Sequence, residues 1–193
     1  MKQHQGFESN NHTTCATQIK RWLEQDENRM QALKVAASLA LNDWCLAAGF
    51  LRNMIWDKLH GLEVSTPLND IDLIYFDLSN TSEETEKHYE IQLREMLARP
   101  WSVKNQARMH DRNHDLAYTS TLDAMSYWVE IETAIGCCLS PTGNIELIAP
   151  FGLSPLFNYT VTINQKRNKL ADFNTRITEK KWLSQWPKLR VIY

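Results

Sequence analysis

Residues 69–77 read NDIDLIYFD, an apolar and aromatic run that also carries three aspartates. Residues that are β-branched or aromatic favour strands, so this stretch predicts a buried strand. Successive side chains of a strand point to opposite faces, which places Asp70 and Asp72 on one face and Ile71 and Leu73 on the other. Charge is expensive to bury, so the two aspartates need an explanation.

The spacing of Asp70 and Asp72 fits a site for a divalent cation. At about 3.3 Å per residue their Cα atoms lie roughly 6.6 Å apart, close enough for both carboxylates to converge on one ion. Magnesium prefers such hard oxygen ligands and is often held by one or two carboxylates together with substrate phosphates. The alternative is that Asn69 and Asp70 merely end a loop, but this leaves Asp72, inside the apolar run, unexplained.

A second candidate feature lies about twenty residues upstream, in AAGFLRN at 47–53. Gly49 permits a sharp turn, and the apolar spacing after it predicts a helix over 50–60. The free N–H groups of a helix N-terminus bind phosphate, and Arg52 in the first turn could add a bidentate contact. A plain strand-to-helix connection with a surface arginine is the alternative.

Composition bounds the class of protein. The chain has 193 residues, 43% of them hydrophobic, and a net charge of −2, so we expect one folded domain over 15–193 after a flexible tail over 1–14. No apolar run is long enough for a membrane span or a signal peptide, and the four cysteines show no metal-binding spacing, so we expect a cytoplasmic location. Residues 165–193 hold eight Lys or Arg and two Asp or Glu, a basic segment that either attracts phosphate or is simply solvated.

The rest of the pattern predicts an α/β (α+β) fold, with a small mixed sheet flanked by helices. We expect a strand over 101–110, a helix over 122–132, a hairpin joining 134–139 to 145–151, and helical structure in the C-terminal segment. A capping box, Thr81 with Glu84, is expected to start the helix that follows the aspartate strand. Six tryptophans are interpreted as core residues rather than base-stacking platforms, namely Trp44, Trp56, Trp101, Trp128, Trp182 and Trp186.

These stretches together resemble the DNA polymerase β-like nucleotidyltransferase superfamily, and within it a family of small bacterial nucleotidyltransferase-like proteins. The resemblance rests on seven stretches in order from about residue 30 to the end: AAGFLRNMIWDKLHG, NDIDLIYFD, WSVKNQARMH, YTSTLDAMSYW, ETAIG, APFGL and WPKL. It implies the polymerase-β-like fold and a nucleotidyltransferase that moves NMP from an NTP to a hydroxyl acceptor, which the sequence does not identify as RNA, protein or small molecule.

The resemblance also implies roles for particular residues. Asp70 and Asp72 would hold Mg²⁺ or Mn²⁺, and the turn at Gly49 would cradle the phosphates of the NTP with Arg52 and Asn53.

Members of the superfamily usually carry a third carboxylate on the next strand, but the corresponding stretch here, WSVKNQARMH, has no acid. Lys104 is then a candidate to bind phosphate and Asn105 to bind base or sugar. Glu130, Glu132 and Asp115 are candidates for the third acid, and Glu132 is favoured because it matches the family pattern. If none of them reaches the site, the alternative is a catalytically inactive module that binds nucleotide or RNA.

Overall fold

The computed structural model describes residues 4–193, with side chains described from residue 13 onward. The helices are α1 (His4–Glu24), α2 (Glu27–Ala37), α3 (Gly49–His60), α4 (Glu83–Met96), α5 (Gln106–Asn113), α6 (Thr121–Met125), α7 (Leu170–Lys180) and α8 (Trp182–Gln185). The strands are β1 (Cys45–Ala47), β2 (Ile71–Tyr75), β3 (Trp101–Asn105), β4 (Gly136–Leu139), β5 (Ile145–Ile148), β6 (Thr160–Thr162) and β7 (Arg190–Ile192). Short 3₁₀ turns span Ile131–Thr133 and Ser154–Phe157.

The main sheet is mixed, which confirms the predicted fold class. Its strand order is β3-β2-β1-β4-β5. Strands β2 and β3 run parallel, whereas β1 pairs antiparallel with both β2 and β4. Ala47 at the end of β1 lies opposite Asp72. This register brings the turn between β1 and α3 directly beside the aspartates.

The two faces of β2 carry different environments, as the period-two pattern predicts. Ile71, Leu73 and Tyr75 are buried in the core formed with α1, α2 and α3. On the opposite face, Ile74 packs against a second cluster that includes Met125. Asp72 shares that second face but lies at the edge of the cluster, where it is only partly buried. The fold therefore leaves the start of β2, which carries Asp72, partly open to solvent.

Several predicted boundaries are wrong. The residues from His4 to residue 14 belong to α1 rather than to a loose tail, while residues 1–3 lie outside the described residues. Strand β3 ends at Asn105, because the Asn105 side chain accepts a hydrogen bond from the Ala107 amide and starts α5. The cap of α4 is Ser82 rather than Thr81. The helix expected over 122–132 ends at Met125.

The C-terminal segment forms a small second core over α3. Strands β6 and β7 pair in parallel, and β6 is an element that the sequence pattern did not predict. Trp56, Phe173, Trp182 and Trp186 pack together in this core. Trp101 is also buried, as predicted, whereas Trp44 and Trp128 are only half-buried. Within residues 4–193, no helix has the length and apolar character needed to cross a bilayer.

Candidate functional site

The predicted turn and the predicted aspartates meet in one cleft of about 470 Å³. We call it the main cleft. The turn between β1 and α3, the end of β2 and the C-terminal helices form its walls. Its charged and turn-forming lining residues are Ala48, Gly49, Arg52, Asp70, Asp72, Arg176 and Lys180.

Asp70 and Asp72 both line the main cleft, and both carboxyl groups have a raised pKa. Burial raises the pKa of the Asp72 carboxyl to about 6, and repulsion from Asp70 adds to that rise. Arg52 and Lys180 oppose the rise without cancelling it. The pKa of Asp70, which lies just before β2, is also raised by partial burial, although Lys180 lowers it. A bound cation would stabilise the ionised form of these two carboxyl groups.

The turn that precedes α3 has an unusual backbone. The sequence assigned the sharp turn to Gly49, but the residue with positive φ is Ala48, at φ 55° and ψ −121°. Left-handed backbone is strained for a residue with a side chain, and such strain is typical of ligand-binding turns. Gly49 contributes close approach instead, because a Cβ built on it would lie 3.3 Å from Nδ2 of Asn53. Asn53 also lines the cleft and accepts a 3.0 Å hydrogen bond from Arg52.

Arg52 lies in the first turn of α3 and is almost completely buried. Its guanidinium donates a 2.7 Å hydrogen bond to the Thr133 hydroxyl. The rings of Trp56 and Trp182 lie 5.1 and 4.6 Å from the guanidinium carbon. Burial lowers the pKa of Arg52 to about 10, and repulsion from Arg176 contributes. The nearby carboxylates therefore do not fully offset the cost of burying this charge. The packing fixes the position of this charge at the cleft wall.

Two further cations in the cleft, Arg176 and Lys180, come from α7 and were not predicted individually. The only sequence signal was the basic character of residues 165–193. Arg176 pairs through Nε with Oε1 of Glu130 at 2.5 Å. The ion pairs around α7 join Arg176 to Glu130 and Lys169 to Asp172. None of the ion pairs in the described part of the chain includes Lys180.

Asn105 does not reach the cleft, and Lys104 lies outside its walls. Lys104 extends toward α4, where Nζ lies 3.5 Å from carboxylate oxygens of Glu86 and of Glu90. Asn105 is fully buried, and its side-chain amide donates to the carbonyls of Asp77 and of residue 80. Neither residue therefore lines the main cleft, although Lys104 lines a neighbouring pocket together with Asp72. Asn105 instead holds the loop that follows β2.

The predicted third carboxylate, Glu132, does not line the main cleft either. It is fully buried, and its oxygens accept hydrogen bonds from both Thr160 and Thr162 of β6 at 2.7–2.8 Å. Asp115 is paired with Arg167 at 2.8 Å. Among the residues described, no group of three or more Asp, Glu, His or Cys side chains could hold a metal ion.

The aspartate pair still fits a divalent cation of the kind that substrate phosphates help to coordinate. Two carboxylates of raised pKa provide hard oxygen ligands, and magnesium commonly takes its remaining ligands from water and phosphate. The cations Arg52 and Lys180 line the same cleft and could bind phosphate oxygens.

Comparisons with known proteins identify the family and the fold. A family model described as "Nucleotidyltransferase" matches residues 34–191. A solved structure described as an NMR structure that reveals a CCA-adding enzyme head domain is 33% identical, with a TM-score of 0.79, and the match covers 91% of this chain and 94% of that one. No curated protein sequence matches the chain significantly.

More distant structures share the fold. A CCA-adding enzyme in complex with CTP matches with 12% identity and a TM-score of 0.59, over 91% of this chain and 43% of that chain. A tRNA-processing enzyme complex matches with 14% identity and a TM-score of 0.52, over 83% and 42%. The chain thus spans less than half the length of these two enzymes. The family match and the 33% identical structure nevertheless cover most of the chain, which therefore belongs to this nucleotidyltransferase family.

Proposed function

We propose that the protein is a magnesium-dependent nucleotidyltransferase that moves NMP from an NTP to a hydroxyl acceptor. The observation that carries the proposal is the meeting of Asp70 and Asp72 with the Ala48–Gly49 turn and unpaired cations in one cleft. A metal–triphosphate carries both signs of charge, and the main cleft offers complementary groups for both.

Each group of the cleft has a role in this reaction. Asp70 and Asp72 hold the metal ion, and manganese would occupy the same carboxylates. Arg52 and Lys180 bind oxygens of the β- and γ-phosphates, which orients the α-phosphorus toward the acceptor. When bound, the ion would neutralise charge on the phosphates and lower the pKa of the attacking hydroxyl. Attack at the α-phosphorus forms the new P–O bond and expels pyrophosphate.

Positioning and electrostatics would supply most of the rate acceleration. Arg52 is fixed by Thr133 and two indole rings, so little reorganisation accompanies substrate binding. Held cations of this kind stabilise the charge that develops on pyrophosphate as it leaves. The acceptor is an RNA, a protein or a small molecule, and the similarity to a CCA-adding enzyme head domain makes RNA the first to test.

A second candidate function is binding of nucleotide or RNA without transfer. It is favoured by one observation on β3, the strand next to β2. The β3 residue in register with Asp72 is Ser102, and Lys104 follows two residues later, so β3 places no carboxylate beside Asp70 and Asp72. Glu132, the favoured candidate for the third carboxylate, is hydrogen-bonded to β6 instead. Such a module would bind an NTP but transfer nothing.

Radiolabel transfer separates the two functions. The protein is incubated with each α-³²P-labelled NTP, Mg²⁺ and pooled cellular RNA, protein and metabolites. Transfer that Asp72→Asn abolishes and Asp111→Asn preserves supports the enzyme, because Asp111 is an exposed aspartate outside the cleft. Absence of transfer alongside measurable NTP binding would favour the inactive module.

A further inference from the structure

A second pocket of about 290 Å³ adjoins the main cleft on the other side of Asp72. We call it the side pocket. Ala48, Asp72, Thr133 and Arg176 line both spaces, so Asp72 stands at the junction. The side pocket is further lined by Lys104, Gln106, Met109, Trp128, Glu130 and Arg167.

The charges of the two spaces are arranged differently. In the main cleft, Arg52 and Lys180 have no carboxylate partner within 4 Å among the described residues, so their charges are available to a polyanion. In the side pocket, each cation is already paired. Lys104 contacts two glutamates of α4, Arg167 contacts Asp115 at 2.8 Å, and Arg176 is held by a glutamate. The side pocket thus offers little net attraction for phosphate.

The remaining lining suits a flat, weakly charged group with hydrogen-bond donors. Trp128 is half-buried, so part of its indole remains available for contact, and Met109 adds a polarizable thioether. Glu130 is only 1% exposed, and one of its oxygens, Oε2, is buried without a hydrogen-bond partner in the described structure. Buried carboxylate oxygens normally have partners, and a ligand N–H would supply one.

We propose that the side pocket binds the nucleoside of the NTP, with the base against Trp128, while the main cleft binds its triphosphate. The inference rests on the proposed function and extends it by dividing the substrate between the two spaces. The α-phosphate then lies at the junction, beside Asp72 and Arg176. A volume of about 290 Å³ is small for a ligand pocket and suits a single nucleoside.

Arg176 connects the two halves of this arrangement. Its Nε is held by Glu130 on the side-pocket side, while the residue also lines the main cleft. The planar guanidinium presents further donors in a fixed fork. Glu130 therefore acts as a positioning residue for Arg176 as well as the acceptor for a base N–H.

Binding measurements with two probes test the division without knowledge of the acceptor. Isothermal titration in excess Mg²⁺ measures the affinities of α,β-methylene ATP and of inorganic triphosphate, which lacks a nucleoside. Trp128→Leu removes the aromatic face, Trp128→Phe restores one, and Met109→Ala tests the pocket from a separate element. Lys180→Ala tests the main cleft, with Lys34→Ala, an exposed lysine of α2, as the matched loss of one charge.

The division predicts a distinct result for each variant. Trp128→Leu removes the ring on which the base stacks, so it should weaken binding of the ATP analogue by about tenfold and leave triphosphate binding within about twofold. Trp128→Phe should recover most of the loss, and Met109→Ala should weaken only the analogue, by a smaller factor. Lys180→Ala should weaken both probes by the same factor, about fivefold or more, because it removes one charged contact to phosphate.

The outcomes separate the failure of this inference from the failure of the proposed function. Unchanged affinity of the analogue in Trp128→Leu and Met109→Ala, or equal weakening of both probes, would overturn the nucleoside assignment while nucleotide binding stands. If neither probe binds the unaltered protein, the proposed function fails and the inference fails with it. Retained triphosphate binding shows that a variant is folded.

Discussion

Replacement of Asp72 by asparagine is expected to abolish nucleotidyl transfer and, at the same time, to stabilise the protein at neutral pH. The pKa of Asp72 is raised from the ordinary value of 3.8 to about 6, mainly by burial and then by repulsion from Asp70. Between pH 4 and 6, roughly, the folded protein keeps a proton on Asp72 that the unfolded chain has released. The free energy of unfolding therefore falls as the pH rises through this range.

The raised pKa sets the size of the effect. Each pKa unit corresponds to about 1.4 kcal/mol, so ionised Asp72 destabilises the fold by about 3 kcal/mol above pH 7. Because Asp72 is partly exposed, solvent screens some of this, and we expect Asp72→Asn to raise the free energy of unfolding by about 1–3 kcal/mol at pH 7.5. The gain should shrink toward zero near pH 4, where the native carboxyl is protonated.

Urea denaturation at pH 4, 5.5 and 7.5 without divalent cations measures this directly. Asp111→Asn, an exposed aspartate outside the cleft, is the control and should change stability little at any pH. Added Mg²⁺ should stabilise the unaltered protein but not Asp72→Asn, because only the former keeps both carboxylates. A variant less stable than the unaltered protein at pH 7.5, or a gain that is the same at all three pH values, would refute the reasoning.

Three further substitutions test the neighbouring assignments. Gly49→Ala places a Cβ 3.3 Å from Nδ2 of Asn53, so triphosphate affinity measured by titration should fall several-fold with little change in melting temperature. Glu132→Ala leaves buried donors of β6 unpaired and should lower the free energy of unfolding by about 3 kcal/mol, measured by urea denaturation, while the folded variant keeps its NTP affinity. Asn105→Ala should lower the free energy of unfolding by about 2–3 kcal/mol, measured by urea denaturation, without changing the NTP affinity. A lower NTP affinity at unchanged stability would contradict our assignment of Asn105.

Those features of the site that depend on short stretches of sequence could be predicted. Asp70 and Asp72 were predictable because a strand has a period of two, and two acids within an apolar strand have few structural explanations. The start of α3, which precedes the aspartates in sequence, was predictable from the apolar spacing after Gly49, although the strained residue is Ala48. The family resemblance rested on the same short stretches, and the family match over 34–191 confirms it.

The parts that failed depend on the path of the chain rather than on local pattern. Lys180 lines the cleft from α7, although it lies more than one hundred residues from the aspartates in sequence. Glu130 and Glu132 are two residues apart and would share a face in a strand. The 3₁₀ turn over Ile131–Thr133 separates them, so that one lines the side pocket and the other contacts β6.

Apart from Arg176, which pairs with Glu130, the charges of the main cleft remain separated, and this separation favours a substrate-binding role over a structural one. Asp70, Asp72, Arg52 and Lys180 line one space, yet neither aspartate forms an ion pair with Arg52 or Lys180 within 4 Å in the described part of the chain. Elsewhere in the same protein, opposite charges do pair closely, as Arg108 does with Glu86 at 2.6 Å. Groups that served only to stabilise the fold would be expected to pair in this way, because a charged partner offsets the burial that raises the pKa of Asp72 and lowers that of Arg52. A ligand that brings cation and anion together, such as the metal-bound triphosphate that we propose as substrate, would compensate these charges.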